Sequence, residues 1–244
     1  MINYKKLQTK HSSGESGFTI IESLVALIIA AVLLTVIAPV IVLSTATRLQ
    51  ARRVELATQA AKTYIDGVKT GVITQHPPIT TVETDFLANP PTETSLACPT
   101  GNAYCTSPST SLPSSKYLLY CIDGDINNGD PNLEKGCTNN SKDLIIQVFG
   151  YNQQTNDSLR GYRLGLRVYR ADAFKSGITL KASKENIKQQ QTFTGGTGLT
   201  DVQAPLLEMT TDLSPETTSF DDLCRRLKPK SAPSNPNPNP NSQC

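Results

Sequence analysis

The stretch SGFTIIESLVALIIA, residues 16–30, opens the most apolar part of the chain, yet it carries a carboxylate at Glu22. From Ser23 to Thr47 no residue has a formal charge. A helix of that length, at about 1.5 Å per residue, crosses a hydrocarbon core of about 30 Å. A buried helix of a soluble protein is the alternative, but such helices rarely stay apolar on every face for so long. The segment therefore predicts a single membrane-spanning helix.

The flanks of this segment do not identify it as a simple signal or anchor. Three basic residues precede it: Lys5, Lys6 and Lys10. A secretory signal has an apolar core of about 7 to 15 residues followed by a small-residue cleavage site, and this segment is far longer. A plain anchor fits the length but leaves Glu22 unexplained. Three basic residues also follow the segment, so the positive-inside rule does not fix its orientation: Arg48, Arg52 and Arg53.

The motif GFTIIESLVAL, residues 17–27, resembles the class III signal of type IV prepilins and pseudopilins. The resemblance implies a leader peptide over residues 1–17, cut by prepilin peptidase between Gly17 and Phe18, with methylation of the new amino terminus. Pro39 matches a proline that the family often has in this helix, whereas Ala31 stands where many pilins have glycine. The apolar segment then stays with the mature protein, in the membrane and later in a filament core.

Glu22 has three interpretations. Cleavage would place an ammonium at Phe18, four residues earlier on the same helix face, so a pair within one chain is one option. The resemblance implies instead a pair with the amine of a neighbouring subunit, which sets the axial register of a filament. The third option is that the side chain reaches the headgroups by snorkelling. A carboxylate inside lipid is costly, so it usually has a partner. Because Glu22 stands in the motif with Gly17, Phe18 and Thr19, the intersubunit pair that the resemblance implies is favoured.

The rest of the chain predicts an α+β protein in which the long amino-terminal helix packs on a small antiparallel sheet, the layout that the pilin resemblance implies. The membrane or filament-core helix covers residues 18–47, and its continuation into the head covers 48–71. Apolar residues recur in this continuation at spacings of three and four, and Gly71 is placed to end it. A periplasmic head follows over 72–230, and a Pro/Asn-rich tail over 231–244.

Within the head, residues 72–115 predict a long loop region and 116–170 a β-meander. The expected strands cover 116–122, 143–149 and 162–170. In the last strand, one set of alternating side chains should cover the helix: Tyr162, Leu164, Leu166 and Val168. Arg163, Arg167 and Tyr169 are expected to face outward, either as ordinary solvated surface or as a face that binds an anionic polymer such as an acidic polysaccharide.

All six cysteines follow the apolar segment and lack a close CxxC spacing, which favours disulfides over a zinc site. Proximity along the chain suggests three pairs: Cys98 with Cys105, Cys121 with Cys137, and Cys224 with Cys244.

One loop, DGDINNGDPNLE at residues 123–134, has the spacing of a calcium loop. Oxygen-bearing residues occupy its positions one, three, five and twelve, as in an EF-hand: Asp123, Asp125, Asn127 and Glu134. Asn128 stands where glycine is usual, and Pro131 occupies position nine. The favoured interpretation is an Asx-rich turn between two strands, and calcium is the alternative. No other cofactor is predicted.

The sequence does not indicate an enzyme. It has only two histidines, no phosphate-binding glycine loop and no G-x-S-x-G motif. Its 23 Lys and Arg nearly balance its 21 Asp and Glu, so no nucleic-acid partner is expected.

The family resemblance implies a minor pilin or pseudopilin of the cytoplasmic membrane, with sibling pilins, a platform protein and an assembly ATPase as partners. The stretch ATRLQARRVELATQAAKTYIDGVKTG, residues 46–71, also resembles the pseudopilins of cyanobacterial hormogonium polysaccharide secretion, which is linked to gliding motility. This narrower resemblance covers mainly residues 18–71. Two rival functions remain: a tip subunit whose head binds a ligand, and a pseudopilin of a type II secretion or DNA-uptake machine.

Overall fold

The computed structural model describes residues 17, 19–83, 86, 89–92, 104–105, 117–124, 138–183, 202–215 and 218–227. In this part of the chain the fold is α+β, with two α-helices, two short 3-10 helices and a six-stranded sheet. The α-helices are α1 (Ile20–Lys69) and α2 (Phe220–Leu227). The strands are β1 (Ile79–Thr80), β2 (Tyr104–Cys105), β3 (Leu118–Ile122), β4 (Leu144–Tyr151), β5 (Tyr162–Arg170) and β6 (Leu207–Leu213).

Strands β2 to β6 lie in chain order and pair antiparallel, so the predicted meander is present. The sheet is not purely antiparallel, however, because β1 pairs in parallel with the end of β4. Strands β1 and β2 fall inside the predicted long loop region 72–115. Each of these strands has only two residues, too few for an alternating pattern to be recognised in a sequence.

Helix α1 begins and ends at local signals. The hydroxyl of Thr19 accepts a hydrogen bond from the Glu22 backbone N–H at 3.3 Å, which caps the first turn. At the other end Gly71 has a φ of 70°, a conformation that glycine adopts without steric cost. The Ile73 N–H then donates to the Gly67 carbonyl at 2.9 Å. The prediction that Gly71 stops the helix is confirmed, and the helix runs unbroken through Pro39.

The chain divides into two compact units, one up to Thr45 and one from Ala46 onward. The described part of the first unit is almost entirely the apolar half of α1. Its most apolar window has a mean hydropathy of 3.1 and is 0 % buried, so this helix is long and apolar enough to span a membrane.

The core of the second unit lies between the carboxyl-terminal half of α1 and one face of the sheet. Ala57 and Ala61 are fully buried, and their small side chains let the helix approach the sheet closely. The predicted inward-facing residues of β5 all belong to this core: Tyr162, Leu164, Leu166 and Val168. The alternation in β5 was therefore assigned to the correct face.

The other face of the sheet is also covered, which corrects the outward-facing assignment of Arg167 and Tyr169. Arg167 is 2 % exposed and Tyr169 0 %. Phe174 and Leu180, from the segment after β5, pack over Tyr169 in a second hydrophobic cluster. Of the three residues expected to face solvent, only Arg163 does. Alternation shows which residues share a face of a strand, but not whether another segment covers that face.

Gly165 makes room for an aromatic side chain in this second layer. It lies directly opposite Phe149 in the β4–β5 register, and an added Cβ would overlap the Phe149 ring. Gly165→Ala is expected to destabilise the head by about 1–3 kcal/mol, because the ring must leave a well-packed position. Thermal and urea unfolding of the detergent-solubilised chain would measure this change. Ser176→Ala, in an exposed turn, is the control, and equal stability of the two variants would contradict the packing role.

Candidate functional site

Gly17 lies at the start of the described chain, just before α1. It is exposed, and an added Cβ there would meet nothing within 4 Å. The structure assigns no regular secondary structure to Gly17 or Thr19, and α1 begins at Ile20. Phe18, the predicted new amino terminus, lies outside the described residues. The residue at the expected cut is therefore open to another protein and precedes the helix.

Glu22 occupies the first turn of α1 and is exposed. Together with Thr19 it forms the Thr-x-x-Glu pattern of a capping box, a signal that the sequence analysis did not use. A carboxylate in a first turn also lies near the positive end of the helix dipole. Glu22 thus has a local reason to be at this position, besides any role between subunits.

The side chain of Arg167 is fully engaged inside the head. Its Nε donates to Glu208 Oε1 at 2.6 Å, Nη1 to Gln147 Oε1 at 3.2 Å, and Nη2 to the Ser183 carbonyl at 3.3 Å. Its guanidinium also lies over the Phe149 ring, 4.9 Å from the ring centroid. This one side chain links β4, β5 and β6 to the segment that follows β5.

The partners of Arg167 are themselves held in place. Glu208 Oε1 accepts a second bond from the Ser183 N–H at 3.0 Å, and Gln147 Nε2 donates to the Asn89 carbonyl at 2.6 Å. Nearby, the Tyr169 hydroxyl donates to the Lys181 carbonyl at 2.8 Å, and burial raises the pKa of Tyr169. These contacts form a hydrogen-bond network in the interior of the head.

Arg163, Arg167 and Tyr169 therefore do not form a common surface for a polymer. Arg163 is exposed, but its register partner in β6 is the carboxylate residue Asp212. Asp212 in turn pairs with Arg226 at 3.0 Å. Of the three predicted face residues, Arg163 is exposed beside an acid, whereas Arg167 and Tyr169 are buried.

Asp143, which was not predicted from the sequence, is a buried carboxylate that binds residues on both sides of the predicted calcium loop. Asp143 is fully buried and accepts hydrogen bonds from the Gly124 N–H at 3.0 Å and the Thr138 N–H at 2.8 Å. Asn140 Nδ2 adds a third bond at 3.1 Å. The two ends of the loop are thereby joined through one side chain. Polar residues around an Asp at a strand start, here TNNSKD, are the signal that could have indicated it.

Of the proposed calcium ligands only Asp123 is described, and Asp125, Asn127 and Glu134 lie outside the described residues. Within the described ranges, no group of three or more His, Cys, Asp or Glu side chains is arranged to hold a metal ion. Calcium binding by this loop stays a prediction.

Cys121 and Cys224 are both disulfide-bonded and buried. The predicted pairings cannot be followed further within the described residues. Cys98, Cys137 and Cys244 lie outside them, and Cys105 is seen only as part of the β2 backbone. The connectivity of the six cysteines therefore stays a prediction.

His76 packs against the sheet: its Nδ1 lies 3.2 Å from the Tyr162 hydroxyl, and burial lowers its pKa.

The candidate residues belong to different parts of the fold. Gly17 and Glu22 are in the first compact unit, whereas Asp123 and Arg163 are in the second. No protein-family model, curated protein or solved structure matches this chain significantly. The residues and geometry described above are therefore the basis for a functional proposal.

Proposed function

We propose that this protein is a minor pilin or pseudopilin: a single-pass protein of the cytoplasmic membrane that is cut after Gly17 and assembled into a filament. The observation that carries this proposal is the position of the GFTIIE motif on the structure. The motif includes the start of the long helix α1. Its glycine, Gly17, is exposed and precedes the helix, and the apolar half of the helix continues after the motif without interruption.

Processing fits the geometry at Gly17. A peptidase must hold the backbone on both sides of the bond it cuts in an open conformation, and a helix keeps its backbone groups paired. The bond after Gly17 precedes the helix, and the absence of a side chain at Gly17 leaves the backbone accessible. Cleavage would create a charged amine at Phe18 without removing the apolar segment.

Assembly would use the same segment. Its large aliphatic side chains are exposed on all sides, as suits a helix surrounded first by lipid and then by neighbouring helices. The Glu22 carboxylate of one subunit would pair with the amine at Phe18 of another, because apolar surroundings strongly favour joining two opposite charges.

The disulfides support a periplasmic head. The basic residues on both sides of the apolar segment leave its orientation open, but Cys121 and Cys224 are both in disulfides, which persist in oxidising compartments. This favours placing the second unit outside the cytoplasm, with residues 1–17 on the cytoplasmic side.

The narrower proposal is a filament for polysaccharide secretion and gliding motility, working with prepilin peptidase, sibling pseudopilins, a platform protein and an ATPase. A type II secretion or DNA-uptake machine is the alternative. A ligand-binding tip subunit is less favoured, because two of the three residues expected to form a polymer-binding face, Arg167 and Tyr169, are buried.

Processing supplies the first test. When the chain is co-expressed with a prepilin peptidase, intact-mass measurement is expected to show loss of residues 1–17 and a methylated Phe18. Gly17→Val is expected to leave nearly all of the protein uncut, because the added branched side chain restricts the backbone at the cleavage site. Ser16→Ala is the control and should be cut normally. A wild-type chain that stays full-length would overturn the proposal.

A further inference from the structure

A cavity of about 540 Å³ opens between the carboxyl-terminal half of α1 and one end of the sheet. Ile122, Leu144 and Arg170, which are register partners on β3, β4 and β5, form its sheet side. The helix contributes Leu56 and two arginines, Arg52 and Arg53. The cavity is thus partly aliphatic and partly cationic, and its volume is in the range of small-molecule sites, about 300–1,000 Å³.

Four cationic side chains line the cavity against one carboxylate: Arg52, Arg53, Lys142 and Arg170 against Asp123. Within the described residues, the side chains of Arg52, Arg53 and Lys142 have no ion pair. Asp172 pairs with Arg170 and Asp123 lines the cavity, so two acids stand against four cations and the described lining keeps an excess of positive charge.

Arg170 is the buried member of this set. It is 9 % exposed, and one of its Nη atoms pairs with Asp172. Its Nε is buried without a hydrogen-bond partner, which is an unusual state because an unmade bond to a charged donor is costly. Burial and the nearby Arg170 also lower the pKa of Arg53, whereas Asp172 acts in the opposite direction. An anion bound in the cavity would offset the positive charge that surrounds Arg53.

We infer that this cavity binds a phosphate ester group of an amphiphile, as in the headgroup of an anionic phospholipid. Guanidinium groups bind phosphate oxygens through paired N–H donors, and both Arg52 and Arg53 line this cavity. The aliphatic part of the lining, including Leu56 and Leu144, suits the glycerol and first methylenes that follow such a phosphate.

The place of the arginines along α1 favours a lipid as the source of the phosphate. Arg52 comes five residues after Thr47, the last residue of the uncharged segment, which is about 7.5 Å along a helix. Headgroup phosphates lie just beyond the hydrocarbon core, at the level where such a segment ends. The inference needs only a membrane-inserted chain, and it holds whether or not the protein enters a filament.

The test uses the full chain in dodecyl maltoside micelles. Native mass spectrometry would compare retention of phosphatidylglycerol with that of phosphatidylcholine, and thermal unfolding would be followed with added inorganic phosphate. We expect the wild type to retain phosphatidylglycerol in preference to phosphatidylcholine. For the double variant Arg52→Gln/Arg53→Gln, the apparent Kd for phosphatidylglycerol should be about 10- to 100-fold higher. Lys142→Gln, at an exposed position, is a second variant that spares the core and should also weaken retention.

Lys62→Gln is the matched control, because Lys62 is an exposed cation on α1 that does not line the cavity. Its lipid retention should equal that of the wild type. If phosphate alone raises the unfolding temperature and competes with the lipid, the inference holds with a soluble phosphate as a second source. The inference is overturned if both lipids are retained equally and phosphate has no effect, or if Lys62→Gln weakens retention as much as the double variant.

Discussion

Glu22→Ala is expected to give a protein that is inserted and cut after Gly17 but is nearly absent from filaments. The substitution removes the carboxylate that would attract the amine at Phe18 of a neighbouring subunit, and pairing of such charges in apolar surroundings is worth several kcal/mol. Incorporation should therefore fall by at least about tenfold, since each 1.4 kcal/mol is a factor of ten. Immunoblots of sheared filaments and of membranes would measure it.

A second substitution at Glu22 is needed to separate the loss of its charge from the loss of its side chain in the capping box. Alanine at position 22 keeps the backbone N–H that Thr19 caps, but it removes the Glu side chain of the capping-box pattern together with the charge. Glu22→Gln keeps a side chain that suits a capping box and removes only the charge. Normal incorporation of the glutamine variant would show that charge pairing is not the role of Glu22. Glu55→Ala, an exposed acid further along α1, is the control and should assemble normally.

Arg167→Met is expected to have the largest effect on the stability of the head, a loss of about 3–5 kcal/mol. The change removes one partner of a buried ion pair and leaves Glu208, whose side chain is 16 % exposed, without its closest counter-charge. Gln147 would also lose a donor to its Oε1. Thermal and urea unfolding of the solubilised chain, followed by circular dichroism, would measure the loss.

Two further variants separate the buried pair from general effects of removing a charge. Arg163→Met, on the same strand but exposed, should change stability by less than about 0.5 kcal/mol. The double variant Arg167→Met/Glu208→Leu should recover part of the loss, because it leaves no buried unpaired charge. If Arg167→Met is no worse than Arg163→Met, the network is not a stabilising feature of the head.

Features with short-range signals could be predicted from the sequence. The bounds of β5 agree with the prediction at both ends. Strand β3 begins two residues later than predicted and ends as predicted, and β4 begins one residue later and ends two residues later than predicted. Helix α1 ends where a glycine with positive φ makes the stop, and apolar spacing identified its buried face. In each case the signal lies within a few neighbouring residues.

Features that depend on distant parts of the chain were missed. Strand β6 and helix α2 were not predicted, and both are short, at seven and eight residues. Asp143 and Arg167 have functions in the fold that depend on partners far along the chain: Gly124 for the first, Glu208 for the second. The roles of Asp143 and Arg167 therefore depend on tertiary contacts, which residue spacing in the sequence does not predict.

The sequence by itself determined the membrane-length helix, the GFTIIE motif at its start and the face of β5 that packs on α1. These properties depend on composition and periodicity along one continuous segment. Only the tertiary structure decided that the opposite face of β5 is buried, because a segment from outside the strand covers Tyr169 and supplies one of the acceptors of Arg167, the Ser183 carbonyl. In an open sheet Arg167 would be a solvated surface charge. In this covered sheet it is buried and links neighbouring strands through its hydrogen bonds.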